Sequence, residues 1–338
     1  MEKYDLIVIG SGPAGEKGAV KAAYFGKKVA LVEKKSLLGG TLSSVYIQAL
    51  LATSRMKKDT FSSFSTLVEE IQKDLDKSIR NNLKHHDVTL LEGEARFINA
   101  NTIKVQGLES VSYCSDHFLI ATGASFDKSF SVDYNQNMIV DDKGLQNISV
   151  IGSSIAIYGS TPFCIELASA FMLLNKKVFL IAEKPLPFFD EEVTSLLFSL
   201  MGKGVEFINE EIVDIKANED VEIYLENKTL KVDQFFDLHT KRGNVSSLNL
   251  KALKIPLSRS GFIEINEDNS TALSHIFSAG AVTSSLIQAS SAMDQGRVAV
   301  TKMFATQDLE KISSFCPYSL SSTPEIAMVG YTEKELLQ

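Results

Sequence analysis

Gly10-Ser11-Gly12-Pro13-Ala14-Gly15 is the run in this chain whose residue types and spacing are best suited to chemistry. Gly10 permits a tight turn, Gly12 lets a pyrophosphate approach the backbone, and Gly15 lets a helix and a strand pack closely. A helix beginning here would add free N–H groups and the positive end of its dipole, both favourable to phosphate. Glu33, further along, is placed to accept both hydroxyls of an adenosine ribose. The chemistry implied is capture of an ADP moiety. A structural glycine turn is the competing reading, and the order strand, turn, helix, strand, acid favours the site.

Those residues need elements to hold them. Leu6 to Ile9, with Tyr4 before it, predicts a buried parallel strand. An Ala-rich helix follows to about Phe25, and Val29 to Val32 forms a second strand ending in Glu33. After the glycine loop Leu37 to Thr41, helices are expected over Ser44–Met56 and Ser62–Lys84. The latter carries Phe64, Leu67, Ile71, Leu75 and Ile79 at helical spacing. His85-His86 closes it as surface or capping residues, since no third ligand is near. Strands are predicted around Val88–Leu91, Glu94–Ile98, Thr102–Val105 and Phe118–Ile120, the last running into Ala121-Thr122-Gly123. A second unit begins near Asn147: strand Ile155–Tyr158, turn Gly159–Cys164, helix Glu166–Leu174, strand Val178–Ile181. It repeats the opening, so the chain reads as α/β with two nucleotide-type folds in tandem. Gly261–Ile265 and His275–Ala279 read as returning strands, Leu286–Phe304 as a helix, and Pro317–Gly330 as the start of a further unit.

The 338 residues suffice for two to three domains, and 44% hydrophobic with 22% charged residues is globular. A net charge of −8 argues against nucleic acid; Lys34-Lys35 and Lys57-Lys58 read as solvated surface. No apolar run has membrane-spanning length, and the first strand starts too early for a signal peptide. Cys114, Cys164 and Cys316 suggest neither a disulfide framework nor a metal site, which fits a reducing cytoplasm.

GSGPAGEKGA, IAIYGSTPFCIELASAF, KRGNVSSLNL and SSAMDQGRVAV, in this order, resemble the FAD-dependent pyridine nucleotide-disulfide oxidoreductases, nearest in look to their soluble transhydrogenase and dihydrolipoamide dehydrogenase branches. The resemblance implies two tandem Rossmann-like domains and a truncated α+β interface domain. It divides the chain into an FAD domain (1–143 and 261–314), an NAD(P)-like domain (144–260) and an incomplete interface domain (315–338). It implies FAD held by Gly10, Gly12, Pro13, Ala14, Gly15, Glu33 and Lys34, with Gly40 and Thr41 at the phosphates and Ala95 by the adenine. Ala121, Thr122 and Gly123 would close that domain, and Gly280 and Ala281 would reach the ribityl chain. NAD(H) would meet Gly159, Thr161 and Glu183. Glu166 would be a catalytic contact near the nicotinamide, or merely a partly buried helix carboxylate.

The departures matter too. Where disulfide reductases carry two cysteines, this chain has Gly39-Gly40-Thr41-Leu42-Ser43-Ser44-Val45-Tyr46-Ile47. Ungapped counting puts Leu42 and Ile47 at the thiol positions; a three-residue deletion instead aligns Gln48-Ala49-Leu50-Leu51 with the family's Lys-Ala-Leu-Leu. Neither supplies a thiol, and the family lysine becomes Gln48 or Leu51. Thr161 and Cys164 replace two glycines of the second fingerprint. Glu183 lies one residue past the ribose-acid position, now Ala182, and favours NAD over NADP. Ala281 stands where the family places an aspartate, although the helix from Leu286 still aims its N-terminus at the flavin. Thr323-Pro324-Glu325-Ile326 belongs to the first strand of the interface domain, so Ser319–Gln338 is expected to be disordered, loosely packed or engaged with another chain, with a homodimer only if the rest is supplied. The expected activity is hydride transfer between NAD(P)H and FAD without a dithiol; the alternative is an inactive relic that binds a nucleotide or partner.

Overall fold

The alternation of apolar residues in the opening strand dictates two cores. In the computed structural model, which describes residues 1–40, 43–56, 61–134, 137–142, 144–148, 150–305 and 317–337, this strand spans Glu2–Ile9. Leu6 and Val8 face one buried cluster with Val29, Leu31 and Leu119. Ile7 and Ile9 face another with Ala30, Val32, Phe118 and Ile120, as the period-two geometry of a strand requires. The strand pairs in parallel with Val29–Glu33 on one side and Ser110–Ile120 on the other. Thr89–Glu92 and Ile276–Ser278 extend the parallel sheet, and the hairpin Glu94–Asn99 with Thr102–Gln106 runs antiparallel beside the first half of Ser110–Ile120. These elements belong to a unit of Met1–Thr41, Gln72–Ser125 and Arg242–Ser314.

Helices Pro13–Tyr24 and Ala289–Phe304 cross on the first face of this sheet at nearly bare backbone. A Cβ at Gly296 would stand 2.1 Å from the Ala14 carbonyl oxygen, and one at Gly18 would stand 2.5 Å from a Leu119 methyl. Glycine is required at Gly296, where the contact is to backbone, whereas at Gly18 the Leu119 methyl would have to move aside.

A second unit comprises Leu42–Ile71, Phe126–Lys241 and Phe315–Gln338. Its parallel sheet runs in the order Val205–Ile208, Lys177–Ile181, Ser154–Tyr158, Gln234–Asp237, Ile139–Val140. Ile155 and Ile157 face a core shared with helix Pro162–Leu173, while Ala156 faces the core beneath the antiparallel strands Ile212–Ala217, Val221–Leu225 and Thr229–Val232. Helix Ser43–Met56 contributes Val45, Tyr46, Ile47, Ala49 and Leu50 to the former core.

Several boundaries differ from the sequence reading. The expected helix Glu166–Leu174 starts at Pro162, because proline is tolerated at the first helical position and fixes a helical φ there. Gly261–Ile265 forms no strand; only an isolated bridge joins Leu257 to Ile263. The helix expected from Leu286 starts at Ala289. The tail is neither disordered nor loose but docked on its own unit: Tyr318–Leu320 and Ile326–Met328 pair as an antiparallel hairpin. The Ser321, Thr323 and Glu333 N–H groups donate to Glu166 Oε1, Ser169 Oγ and Asp190 Oδ1 at 2.8, 2.7 and 2.8 Å. Among the described residues, no helix is long and apolar enough to cross a membrane, and no group of three His, Cys, Asp or Glu could hold a metal.

Candidate dinucleotide site

Gly10 turns the chain at the end of the opening strand with φ +106°, and a Cβ there would lie 2.4 Å from the Ala121 oxygen. Gly15 sits against the same turn: its Cβ would come within 1.9 Å of the Gly10 oxygen. Gly12 is different. Its nearest atom would be the Gly40 Cα at 3.9 Å, so the space above it is open. Gly12 is also the N-cap of helix Pro13–Tyr24, with extended backbone and no side-chain cap. The Glu16 N–H bonds the Gly12 oxygen at 2.9 Å, leaving the Ala14 and Gly15 N–H groups without an intrahelical acceptor. Two unspent donors under open space, at a positive helix end, make an anion cradle.

Around this cradle, Glu33 is 9% exposed at the end of its strand. The Ser11 N–H and hydroxyl both donate to Glu33 Oε2, at 2.9 and 2.7 Å, and the Lys35 N–H donates to Oε1 at 3.0 Å. Gly40, φ +80°, lies against Gly12. Thr41 lies outside the described residues. The Thr122 hydroxyl is buried with no hydrogen-bond partner. Gly280, φ +80°, packs on Ala14, since a Cβ there would be 3.0 Å from the Ala14 methyl, and this brings Ala281 to the loop. The structure therefore gathers Gly10, Gly12, Pro13, Ala14, Gly15, Glu33, Gly40, Ala121, Thr122, Gly123, Gly280 and Ala281. Lys34 points elsewhere, to an exposed pair with Glu94 at 3.2 Å. The Ala95 methyl is buried beside Ile9 and Val32, leaving only its backbone for a ligand.

Three supporting residues escaped sequence reasoning. Ser11 links Glu33 to the glycine loops. The Gln295 Oε1 accepts the Gly280 N–H at 2.8 Å, fixing that turn. Asn244 donates to the Gly123 oxygen from its backbone N–H at 2.9 Å, and to the Thr122 oxygen from its side chain at 3.1 Å. The only signal for Asn244 was its place in KRGNVSSLNL.

The second fold repeats the turn with fewer free donors. Gly159 has φ +145°, and a Cβ there would lie 2.3 Å from the Leu238 oxygen. Thr161 is the N-cap, and its oxygen accepts the Cys164 N–H at 2.9 Å. Pro162 has no N–H and the Cys164 N–H is spent on Thr161, so of the first three helical positions Phe163 alone keeps an N–H without an intrahelical acceptor. The Thr161 hydroxyl lies 3.2 Å from the Cys164 sulfur, and burial pushes that thiol up to about 11. Glu183 is exposed beyond strand Lys177–Ile181. Tyr158 stacks on His239 with ring centres 4.2 Å apart. Glu166 lies on helix Pro162–Leu173, where burial lifts its carboxyl above the usual range against the pull of the Ser321 N–H. Ile47 is buried at 2% and Gln48 is exposed, while Leu42 lies outside the described residues.

The family described as pyridine nucleotide-disulphide oxidoreductase matches residues 4–296. The soluble pyridine nucleotide transhydrogenase of Vibrio cholerae is 31% identical over 360 residues, 98% of this chain and 77% of the relative. That of Mycobacterium bovis is 29% identical over 366 residues, 99% and 78% respectively. Among solved structures, the HOCl-induced flavoprotein disulfide reductase RclA from Escherichia coli superposes with a TM-score of 0.87 at 23% identity, covering 99% of this chain and 79% of that one. LpdA from Mycobacterium tuberculosis gives 0.89 at 20% identity, covering 99% and 80%.

Proposed function

The chain belongs to the pyridine nucleotide-disulphide oxidoreductase family, and from that membership we propose an FAD-dependent oxidoreductase that exchanges hydride with a nicotinamide dinucleotide and uses no dithiol. The observation that carries the reading is the open cradle at Gly12, with Ala14 and Gly15 as unspent donors and Glu33 at the neighbouring strand end. FAD, the cofactor the family implies, supplies hydride acceptance and release when bound. The residues fit it: the cradle has room for a pyrophosphate, and the orphaned Thr122 hydroxyl gains a partner from a ligand. Gly12, Ala14 and Gly15 would hold the diphosphate, and Glu33 the ribose. Ala281 offers no acceptor to a ribityl chain, so affinity there rests on the ADP half. The three cysteines, Cys114, Cys164 and Cys316, all lie outside the glycine loop and helix Ser43–Met56. Glu183 favours NAD by repelling a 2′-phosphate.

Two observations favour a second reading, a nucleotide-binding relic: of the first three positions of helix Pro162–Leu173 only Phe163 keeps an unspent N–H, and Glu166 is already engaged by Ser321. The absorbance spectrum of the purified protein separates the two. A bound flavin spectrum bleached by NADH, and more slowly by NADPH, supports the enzyme. Bound flavin that NADH leaves oxidised supports the relic.

A further inference from the structure

Ser11 is completely buried and stands at the meeting point of three segments. Its hydroxyl donates to Glu33 Oε2 at 2.7 Å and accepts the Gly39 N–H at 3.1 Å, while its own N–H adds a second bond to Glu33 Oε2 at 2.9 Å. One oxygen thus ties the first glycine loop to the acid on the second strand and to the turn at Gly39, φ +111°. Glu33 is clamped from both ends, because the Lys35 N–H holds Oε1 at 3.0 Å. A carboxylate has about four acceptor sites. With two used on Oε2 and one on Oε1, an unspent lone pair of Oε1 is held in a set direction.

The geometry points to Ser11 as a positioning residue for adenosine recognition: its hydroxyl orients the Glu33 carboxylate toward the ribose and latches the Gly39–Gly40 turn over the phosphate cradle. This rests on the proposed reading that the loop takes the ADP half of FAD. Without the hydroxyl, Glu33 Oε2 keeps one tether and swings, and the Gly39 N–H loses its acceptor. A ligand that needs Glu33 suffers; one without ribose hydroxyls suffers much less.

The test is calorimetric titration of the full chain with ADP and with 2′,3′-dideoxy-ADP. Unaltered protein, Ser11→Ala, Glu33→Gln and the double variant are compared. Ser11→Gly, which removes the hydroxyl and keeps the backbone donor, gives a second route should Ser11→Ala fold poorly. Loss of a hydrogen bond that orients a charged acceptor is expected to weaken ADP about tenfold and the dideoxy analogue by less than about threefold. In the Glu33→Gln background, removing the hydroxyl should cost ADP no more than it costs the dideoxy analogue, less than about threefold, since only the Gly39 contact is then left for it to disturb. Equal losses for both ligands, or fully additive effects of Ser11→Ala and Glu33→Gln, would overturn the positioning role while leaving the ADP site intact. Failure of the unaltered protein to bind ADP would overturn the site itself, and this inference with it.

Discussion

Gly12→Ala and Gly15→Ala are the same chemical change three residues apart, and the structure demands opposite outcomes. At Gly12 the backbone has φ −65° and ψ 179°, which alanine adopts without strain, and the new methyl would have the Gly40 Cα at 3.9 Å as its nearest neighbour. Stability should change by less than about 1 kcal/mol, with a slight gain from the stiffer unfolded chain. The same methyl fills the space through which a pyrophosphate must reach the Ala14 and Gly15 N–H groups. Each hydrogen bond to a charged acceptor contributes about 1.5–3 kcal/mol, so losing both costs about 3–6 kcal/mol, or two to four decades in affinity for ADP. At Gly15 the methyl would stand 1.9 Å from the Gly10 oxygen, a backbone atom that cannot rotate away. Overpacking of this severity costs about 3 kcal/mol, which lowers the melting temperature by about 6–12 °C in a domain of this size. Thermal unfolding with ADP titration reads both. A Gly12→Ala protein that binds ADP normally would refute the cradle, and one that melts as early as Gly15→Ala would refute the open space above Gly12.

Ala281→Asp should tighten FAD by about ten- to a hundredfold and leave ADP unchanged, because only the former has ribityl hydroxyls to meet a charged acceptor; equal tightening of both in calorimetry would refute the placement. The Cys164 thiol, buried and pushed up to about 11, should resist thiol reagents at neutral pH until the protein unfolds; rapid labelling at Cys164 in the folded protein, mapped by mass spectrometry, would contradict its burial. Burial also raises the Glu166 carboxyl, so the folded state holds that proton to higher pH than the unfolded chain, and its stability contribution falls as pH rises from the unfolded range through the raised folded value. Glu166→Gln, which keeps an acceptor for the Ser321 N–H, should therefore gain on the unaltered protein in urea unfolding as pH rises from the ordinary carboxylate range, about pH 4, through the raised folded value; a pH-independent difference would refute this.

The sequence was most legible where structure is local. Leu6–Ile9, the glycine turn and Val29–Val32 announced themselves through apolar period and φ-demanding glycines, and they lie within a residue or two of their observed ends, apart from the longer start of the first strand. Ser110–Ile120 was seen only in its last three residues, because its first half is partly exposed and exists by pairing with a hairpin that local pattern does not reveal. Gly261–Ile265 has strand composition but no partner to form a ladder with. In the site, glycines and acid were readable from spacing, whereas Ser11, Asn244 and Gln295 act through contacts fixed only by the tertiary fold. The docking of residues 317–337 likewise depends on Glu166, Ser169 and Asp190, far away in sequence.

The crossing of Pro13–Tyr24 with Ala289–Phe304 has a consequence for biogenesis. Helix Pro13–Tyr24 leaves the ribosome early, yet the surface that Gly18 presents is covered only after Gly296 and Val300 have been synthesised. The parallel sheet likewise receives Ile276–Ser278 late, and parallel pairing across such separations is slow because loop entropy is lost before contacts are gained. The nascent chain therefore carries Leu119 and the small-residue face of the first helix uncovered for most of its synthesis. Transiently exposed apolar surface of this kind favours aggregation until it is covered. A nucleotide able to bind the early loop would act as a folding ligand before it could act in any reaction.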